Sequence, residues 1–173
     1  YLNTVRKEFD IEAISKLEFA YDAMYGAGQN VIRKLFPKAH LLHCTYNPSF
    51  EGRAPEPIAK NLPELASLIK NSDHISSGLA TDGDADRIGF FNEKGEFVDS
   101  HHLILLLTKY LVEHKKLTGS IVKSFSVSNK IEKMCQHYEL ESLTTKIGFK
   151  YICEHMVNGD VLVGAEESGG IAI

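Results

Sequence analysis

The chain has 173 residues, of which 43% are hydrophobic and 24% are charged, and its formal net charge is −4. This is enough apolar material for one large domain or two small ones, and the near balance of charge argues against non-specific nucleic-acid binding, which needs a basic face. Three widely spaced cysteines and a longest apolar run of only residues 103–107 exclude a disulfide framework and a membrane helix, so we expect a cytoplasmic protein.

The first half of the chain alternates short apolar segments with amphipathic ones. In chain order we predict a strand at 17–24, a helix at 28–37, a strand at 39–46, a Pro- and Gly-rich loop at 47–57, a helix at 58–72 with Pro63 as an alternative start, a strand at 76–83 and a hairpin at 87–100. The hairpin turns at 93–95, where a glycine follows two charged residues.

The second half repeats the alternation. We predict a helix at 101–116, a strand at 119–126, a helix at 128–138, a strand at 139–145, a helix at 148–158 and a strand with a loop at 160–170. The leucines of the helix at 101–116 cover most of its circumference, so we expect this helix to be buried and to bridge two α/β units. Such alternation predicts parallel sheets with helices on both faces. Because the second unit stops just after a glycine loop, we expect the chain to be a piece of a longer protein.

The segment GLATDGDADRIGFF, residues 78–91, contains three aspartates at alternate positions. Asp82, Asp84 and Asp86 follow a predicted strand, and Arg87 comes directly after them. Three like charges in five residues repel one another unless the turn is well solvated or a cation binds. In open α/β sheets ligands bind beyond the carboxyl ends of the strands, which is where this segment lies.

Three interpretations of the aspartate segment are open. Asp and Gly are common in plain solvated turns. A calcium loop of the EF-hand type fits the acids and Glu93 at its twelfth position, but it has Arg87 where a glycine is needed and predicted strands where helices are needed. A magnesium site shared with a phosphate explains the acids as hard oxygen ligands and Arg87 as a phosphate contact.

A second loop, VLVGAEESGG at residues 161–170, also combines acids with glycines. It is either an ordinary turn after a strand or a sugar clamp, in which Glu166, Glu167 and Ser168 bind hydroxyl groups. Between the two loops, Lys146 and Lys150 lie on either side of Gly148 at a predicted helix start. They are either solvated surface charges or groups that contact a phosphate or move a proton.

The motifs TDGDADR, GFK and GAEESGG, in this order and spacing, resemble those of the α-D-phosphohexomutases, the family of phosphoglucomutase and phosphomannomutase. YDAMYGAG and the proline-rich loop at 47–57 are also similar, so the resemblance covers essentially the whole chain. It implies an α/β fold with two consecutive three-layer α/β/α domains and mostly parallel sheets. Residues 1–97 would be the family's second domain, with the metal-binding loop, and residues 98–173 most of its third, with the sugar-binding loop.

The resemblance also implies a reaction, a cofactor and partners. The enzymes are intramolecular phosphotransferases that interconvert hexose 1-phosphate and hexose 6-phosphate through a bisphosphorylated sugar and an enzyme phosphoserine. The implied site consists of the Mg²⁺ ligands Asp82, Asp84 and Asp86, the catalytic residues Arg87, Lys146 and Lys150, and the substrate-binding residues Glu166, Glu167 and Ser168. The implied partners are a hexose phosphate and the remaining domains of the enzyme, with no nucleic acid and no membrane.

The chain departs from the family pattern in two places. Ala165 stands where the family's sugar loop has a second glycine, which narrows backbone freedom. The T-A-S-H-N-P type loop of the phosphoserine is absent, so we expect the isolated chain to be inactive. A phosphopentomutase-like member and a non-catalytic module that binds a cation or a sugar phosphate stay open as alternatives.

Two other patterns are weaker. YGAGQN is close to a dinucleotide-binding loop, but Val31 occupies the position of its last glycine. His40 and His43 lie three residues apart in a predicted strand and would face opposite sides, so we expect no zinc site there.

Overall fold

The computed structural model describes residues 1–173 and divides them into two compact units, Tyr1–Val98 and Asp99–Ile173. Each unit has an α/β fold, in which a mixed sheet carries helices on both faces. None of the helices combines the length and the apolar character that crossing a bilayer would require.

The first unit contains four helices and a five-stranded sheet. Its elements are α1 (Leu2–Glu8), α2 (Ile11–Ile14), β1 (Phe19–Asp22), α3 (Gly28–Leu35), β2 (His40–Leu42), α4 (Pro63–Lys70), β3 (Ser77–Thr81), β4 (Ile88–Phe91) and β5 (Phe97–Val98). The strand order is β2-β1-β3-β4-β5. β1 pairs in parallel with β2 and β3, whereas β4 and β5 are antiparallel. The predicted hairpin is therefore confirmed as the antiparallel edge.

Two hydrophobic clusters cover the two faces of this sheet. Successive strand residues point to opposite faces, so Ala20 packs in a cluster with Leu65 and Ile69 of α4, while Phe19 and Tyr21 pack on the opposite side, where Ile32 of α3 lies. The predicted helix at 58–72 is shorter than expected. α4 begins at Pro63, a position where the missing N–H of proline costs nothing, and a separate 3-10 turn precedes it.

The second unit contains three helices and a four-stranded sheet. Its elements are α5 (Ser100–Glu113), β6 (Ser120–Ser124), α6 (Lys130–Tyr138), β7 (Ser142–Thr145), α7 (Phe149–Asn158), β8 (Val161–Ala165) and β9 (Ile171–Ala172). The order is β7-β6-β8-β9, with β9 antiparallel to β8 and the other pairs parallel. The predicted helices and the strands β6, β7 and β8 are confirmed, whereas β9 was not predicted.

The prediction that the helix at 101–116 is buried was wrong. In α5 the buried residues are Ser100, Ile104, Thr108 and Leu111, which form one stripe along the helix. Leu106 is 56% exposed and Tyr110 is 45% exposed. A stripe at this spacing is typical of a surface helix that packs one face on a sheet. The number of leucines misled because an apolar side chain on a helix need not be buried.

Candidate metal and sugar sites

The aspartate segment forms the loop that joins β3 to β4. Thr81 and Ile88 pair across this antiparallel hairpin, so residues 82–87 lie at the carboxyl end of β3. The loop is closed by a hydrogen bond from the Ala85 N–H to the Asp82 carbonyl (3.2 Å), and Ala85 has a left-handed φ of 64°. We call residues 82–87 the metal loop. Strands flank it, and Glu93 lies in the next turn, so the calcium-loop interpretation is wrong.

The three carboxylates of the metal loop converge. Asp82, Asp84 and Asp86 each offer one oxygen, and these oxygens all lie within 4.8 Å of one another. Asp82 is buried, whereas Asp84 and Asp86 are exposed. Carboxylate oxygens at this spacing are the hard donors that Mg²⁺ prefers, and the two exposed groups leave an open side for further ligands. The residues present therefore fit a magnesium ion.

Hydrogen bonds hold Asp82 in place. One oxygen accepts the backbone N–H of Asp86 (3.0 Å) and of Arg87 (3.2 Å), and the other accepts the Arg87 Nε–H (2.7 Å). Arg87 also approaches an Asp86 oxygen at 3.8 Å. The two Nη groups of Arg87 make no hydrogen bond within the chain, and its side chain is 36% exposed. They are therefore available to an external anion such as a phosphate.

The surroundings of the metal loop shift the pKa values of Asp82 and Asp86 in opposite directions. Burial alone raises the pKa of Asp82, but the hydrogen bonds from Arg87 outweigh it, and the pKa of Asp82 lies below its usual value. Burial and the charges of Asp82 and Asp84 raise the pKa of Asp86. One guanidinium thus faces three carboxylates, and the uncompensated negative charge favours a bound cation.

Two segments pack against the backbone of the metal loop. Gly26 lies so close that a Cβ on it would be 2.5 Å from the Asp82 carbonyl oxygen, and the Ala27 N–H donates to the Gly83 carbonyl (2.9 Å). On another side, Pro55 and Phe50 would lie 3.3 Å and 3.6 Å from a Cβ on Gly83. Both segments therefore fix the position of the metal loop.

The glycine loop of the second unit follows β8 directly. Glu166 is only 8% exposed, and its Oε1 accepts the N–H of Gly148 (2.6 Å) at the start of α7. Its backbone N–H donates to the Gly170 carbonyl (2.8 Å). Glu166 thus joins the glycine loop to the GFK segment, and its second carboxylate oxygen makes no hydrogen bond within the chain.

The neighbouring glutamate points to a different element. The carboxylate of Glu167 accepts hydrogen bonds from the hydroxyls of Ser126 and Ser124, both at the end of β6. Burial raises the pKa of Glu167, but these two serines outweigh it and lower the pKa overall. Ser168 is exposed and makes no hydrogen bond. Of the three predicted sugar ligands, Glu167 is therefore engaged within the chain, while Glu166 and Ser168 have free polar atoms.

The two predicted lysines lie near one aromatic ring. Lys146 Nζ is 5.9 Å and Lys150 Nζ is 4.9 Å from the ring centroid of Tyr151, and both lysines are exposed. Cation–π attraction of this kind holds ammonium groups close to a ring while leaving their N–H donors free. The sequence analysis missed Tyr151, although it follows Lys150 directly in the chain. It also missed Ser124 and Ser126, which only the folded chain brings next to Glu167.

A cavity of the second unit lies away from these residues. It has a volume of 620 Å³ and is lined at the amino ends of β6, β7 and β8, by Ser120, Leu143 and Val161 among others. Beside the metal loop, a cavity of 390 Å³ is lined by Tyr21, Thr81 and Asp84 among others. We place the candidate sites at the carboxyl ends, where the converging acids and free polar groups are found.

Family models cover almost the whole chain. The model of phosphoglucomutase/phosphomannomutase α/β/α domain II matches residues 1–95, and that of α/β/α domain III matches residues 99–173. The chain is 29% identical to the phosphoglucosamine mutase of Leuconostoc mesenteroides subsp. mesenteroides, over 99% of the chain and 38% of that relative. It therefore spans less than half of this relative's length.

Solved structures have the same fold. A Thermus thermophilus protein, provisionally assigned as a phosphomannomutase, matches with a TM-score of 0.90 at 30% identity, over 99% of this chain and 41% of that one. The N-acetylphosphoglucosamine mutase of Aspergillus fumigatus, solved with GlcNAc-6P and magnesium, matches with a TM-score of 0.64 at 20% identity, over 90% of this chain and 35% of that one. The second similarity is one of fold.

Proposed function

The chain belongs to the phosphoglucomutase/phosphomannomutase family, and from this premise we propose that it forms the metal-binding and sugar-binding part of a cytoplasmic hexose phosphate mutase. The reaction is the interconversion of hexose 1-phosphate and hexose 6-phosphate through a bisphosphorylated sugar. The phosphoserine that exchanges the phosphoryl group lies outside these residues. The observation that carries the proposal is the convergence of three carboxylates within 4.8 Å beside the free Nη groups of Arg87.

In this proposal the metal loop holds Mg²⁺ through Asp82, Asp84 and Asp86. A bound Mg²⁺ would offset negative charge on the transferring phosphoryl group, which is the main requirement of phosphoryl transfer. Arg87 has two roles, one toward Asp82 and one toward the phosphate. Its Nε keeps Asp82 oriented at 2.7 Å, and its Nη groups donate to phosphate oxygens.

The glycine loop binds the sugar in the same proposal. The free oxygen of Glu166 accepts from sugar hydroxyls, and Ser168 adds an adaptable donor and acceptor. Glu167, held by Ser124 and Ser126, fixes the loop rather than contacting the sugar through those bonds. Lys146 and Lys150 donate to a phosphate or move a proton at the reacting hydroxyl.

Titration of the purified chain with Mg²⁺ by isothermal calorimetry tests the metal site. We expect weak Mg²⁺ binding, because the phosphate that would complete the metal's ligands is missing. We expect this binding to be lost in Asp82→Asn. Binding that is unchanged in Asp82→Asn would overturn the site. A coupled mutase assay on the same chain tests where the nucleophile lies, and measurable turnover would show that it is present in these residues.

The sugar is tested with a panel of substrates on the mutase that contains this chain. The panel holds glucosamine, glucose, mannose and pentose phosphates, and glucosamine phosphate leads it because the relative named above is a phosphoglucosamine mutase. We expect a hexose phosphate to give the highest kcat/KM. A preference for pentose phosphates would favour the phosphopentomutase alternative, and no activity on any member would favour the non-catalytic module.

A further inference from the structure

The imidazole of His43 lies between two carboxylates in the first unit. Its Nδ1 is 2.8 Å from Asp22 Oδ2, and its Nε2 is 3.2 Å from Glu64 Oε2. The ring of Tyr25 lies against the imidazole, with 4.9 Å between the centroids. Asp22 is 1% exposed, so its carboxylate oxygens must find their hydrogen-bond partners within the chain. The Nδ1–Asp22 contact is a hydrogen bond, and the Nε2–Glu64 contact is a close approach of a ring nitrogen to a carboxylate oxygen.

His43 connects the two segments that pack against the metal loop. On one side, Asp22 also accepts the Met24 N–H (2.8 Å), which fixes the start of the segment that contains Gly26. On the other side, the second oxygen of Glu64 lies 3.6 Å from Arg53 Nη1, in the same proline-rich loop as Phe50 and Pro55. His43 thus contacts both carboxylates, Asp22 and Glu64, that hold the two segments packed against the metal loop.

The backbone around His43 is held in an uncommon conformation. Met24, Tyr25 and His43 have φ values of 46°, 62° and 46°, in the left-handed region that residues with side chains rarely adopt. Such conformations persist when the surrounding contacts over-determine them. The contacts of Asp22, Glu64 and Tyr25 with His43 supply that constraint.

We propose that His43 is a positioning residue for the metal loop: through Asp22 and Glu64 it fixes the two segments between which Asp82 and Gly83 are held. The inference rests on the metal site proposed above and adds a residue to it. His43 is not itself a metal ligand in this arrangement, because its two nitrogens face carboxylates on opposite edges of the ring. The cavity beside it measures 20 Å³, which is room for about one water molecule and not for a substrate.

Amide hydrogen exchange of the metal loop, followed by NMR without any metal, tests the proposal. The reporters are the N–H groups of Asp86 and Arg87, which donate to Asp82, and that of Ala27, which donates to Gly83. In His43→Gln we expect these amides to exchange about tenfold faster, the size expected when a hydrogen bond to a carboxylate is lost. Exchange within twofold of the parent chain would overturn the proposal.

Two further variants keep the test decisive if His43→Gln unfolds. Glu64→Gln changes a half-exposed side chain and should accelerate the same amides about threefold, while unchanged exchange in this variant would overturn the proposal. His43→Arg places several N–H donors beside the same carboxylates and should restore part of the protection, which a role of ring volume alone would not predict. Glu12→Gln, which alters an exposed pair with Lys16 on α2, is the control and should change nothing.

Mg²⁺ titration separates this inference from the proposed metal site. We expect His43→Gln to weaken Mg²⁺ binding about fivefold, and the His43→Gln/Glu64→Gln double variant to be no weaker than His43→Gln alone, since both changes break one network. If Asp82→Asn abolishes binding while both His43 variants bind as the parent does, the metal site stands and the role of His43 falls. If Asp82→Asn binds as the parent does, the metal site itself falls.

Discussion

The metal loop and the glycine loop both place acids at the carboxyl ends of strands. They differ in how the negative charge of those acids is compensated. In the metal loop three carboxylates point into one space, and a single guanidinium faces them. In the glycine loop Glu166 bonds to the N–H of Gly148, and Glu167 bonds to serine hydroxyls of β6. The first loop retains a charge that a cation can neutralise, whereas the second uses its acids as hydrogen-bond acceptors.

The spacing of the acids explains this difference. Glu166 and Glu167 lie where β8 passes into a turn, and their carboxylates diverge to separate partners, the N–H of Gly148 and the hydroxyls of Ser124 and Ser126. The metal loop is bent, and its turn at Ala85, with a φ of 64°, accompanies the convergence of the three alternate aspartates. Alternate acids therefore build a metal site, and consecutive acids build two separate anchors.

The largest expected effect is that of Asp82→Asn. It removes one charge from the cluster and leaves the Arg87 Nε–H facing an amide, so we expect Mg²⁺ affinity to fall more than about thirtyfold and the free energy of unfolding by about 1–3 kcal/mol. Calorimetry and urea unfolding measure the two quantities. Asp73→Asn, at an exposed turn of the same unit, is the control. Equal losses in both variants would contradict a specific site.

A methyl group at Gly26 should have the next largest effect. Its Cβ would meet the carbonyl oxygens of Asp82 at 2.5 Å and Gly83 at 2.8 Å, which are backbone atoms and cannot rotate away. We expect Gly26→Ala to cost about 1–3 kcal/mol in urea unfolding and to weaken Mg²⁺ binding.

The matched change in the glycine loop is Gly170→Ala. Its Cβ would lie 3.1 Å from the ring of Phe149, a side chain that can shift. We expect a smaller loss, under about 1 kcal/mol, and unchanged Mg²⁺ binding. A larger loss for Gly170→Ala than for Gly26→Ala would show that the glycine loop is the more rigid of the two.

Glu166→Gln probes the acceptor role of the buried glutamate. The amide keeps the size of the side chain but replaces a charged acceptor at the start of α7 with a neutral one. We expect a loss of about 1 kcal/mol in urea unfolding, and no change in Mg²⁺ affinity. Glu154→Gln on the exposed face of α7 should leave the urea midpoint unchanged. Weaker Mg²⁺ binding in Glu166→Gln would contradict the proposal that Asp82, Asp84 and Asp86 alone supply the protein ligands of the metal.

The sequence predicted most of the fold and the convergence of the three aspartate carboxylates, whereas the roles of the site residues stay predictions. Hydrophobic alternation located the helices and strands, and the spacing of the aspartates indicated that their carboxylates converge. The strand β9 was missed because its two residues form no pattern, and the exposed side of α5 was missed because composition does not report which face is covered.

Several contacts of the site were not predictable, because they join residues that are distant in the sequence. His43 was considered only as a zinc ligand, on the assumption that it lies in a strand. The strand ends at Leu42, and the left-handed φ of His43 turns its ring between Asp22 and Glu64. In the same way, Glu167 was predicted to bind sugar, and nothing in the local sequence indicated that Ser124 and Ser126 lie beside it.

The smallest expected effect is on the pH dependence of folding stability, to which Glu167 contributes. Its pKa is lowered in the folded chain, so its bonded carboxylate stabilises the fold above the unfolded pKa of about 4.3, and this contribution is lost as pH falls through the lower, folded pKa. At pH 6.5 Glu167→Gln should therefore have a lower urea midpoint than the parent chain. The gap should close as the pH approaches 3, because a protonated glutamate resembles glutamine. All other acids are common to both chains, so a gap that widens on acidification would mean that Glu167 is not held by its serines.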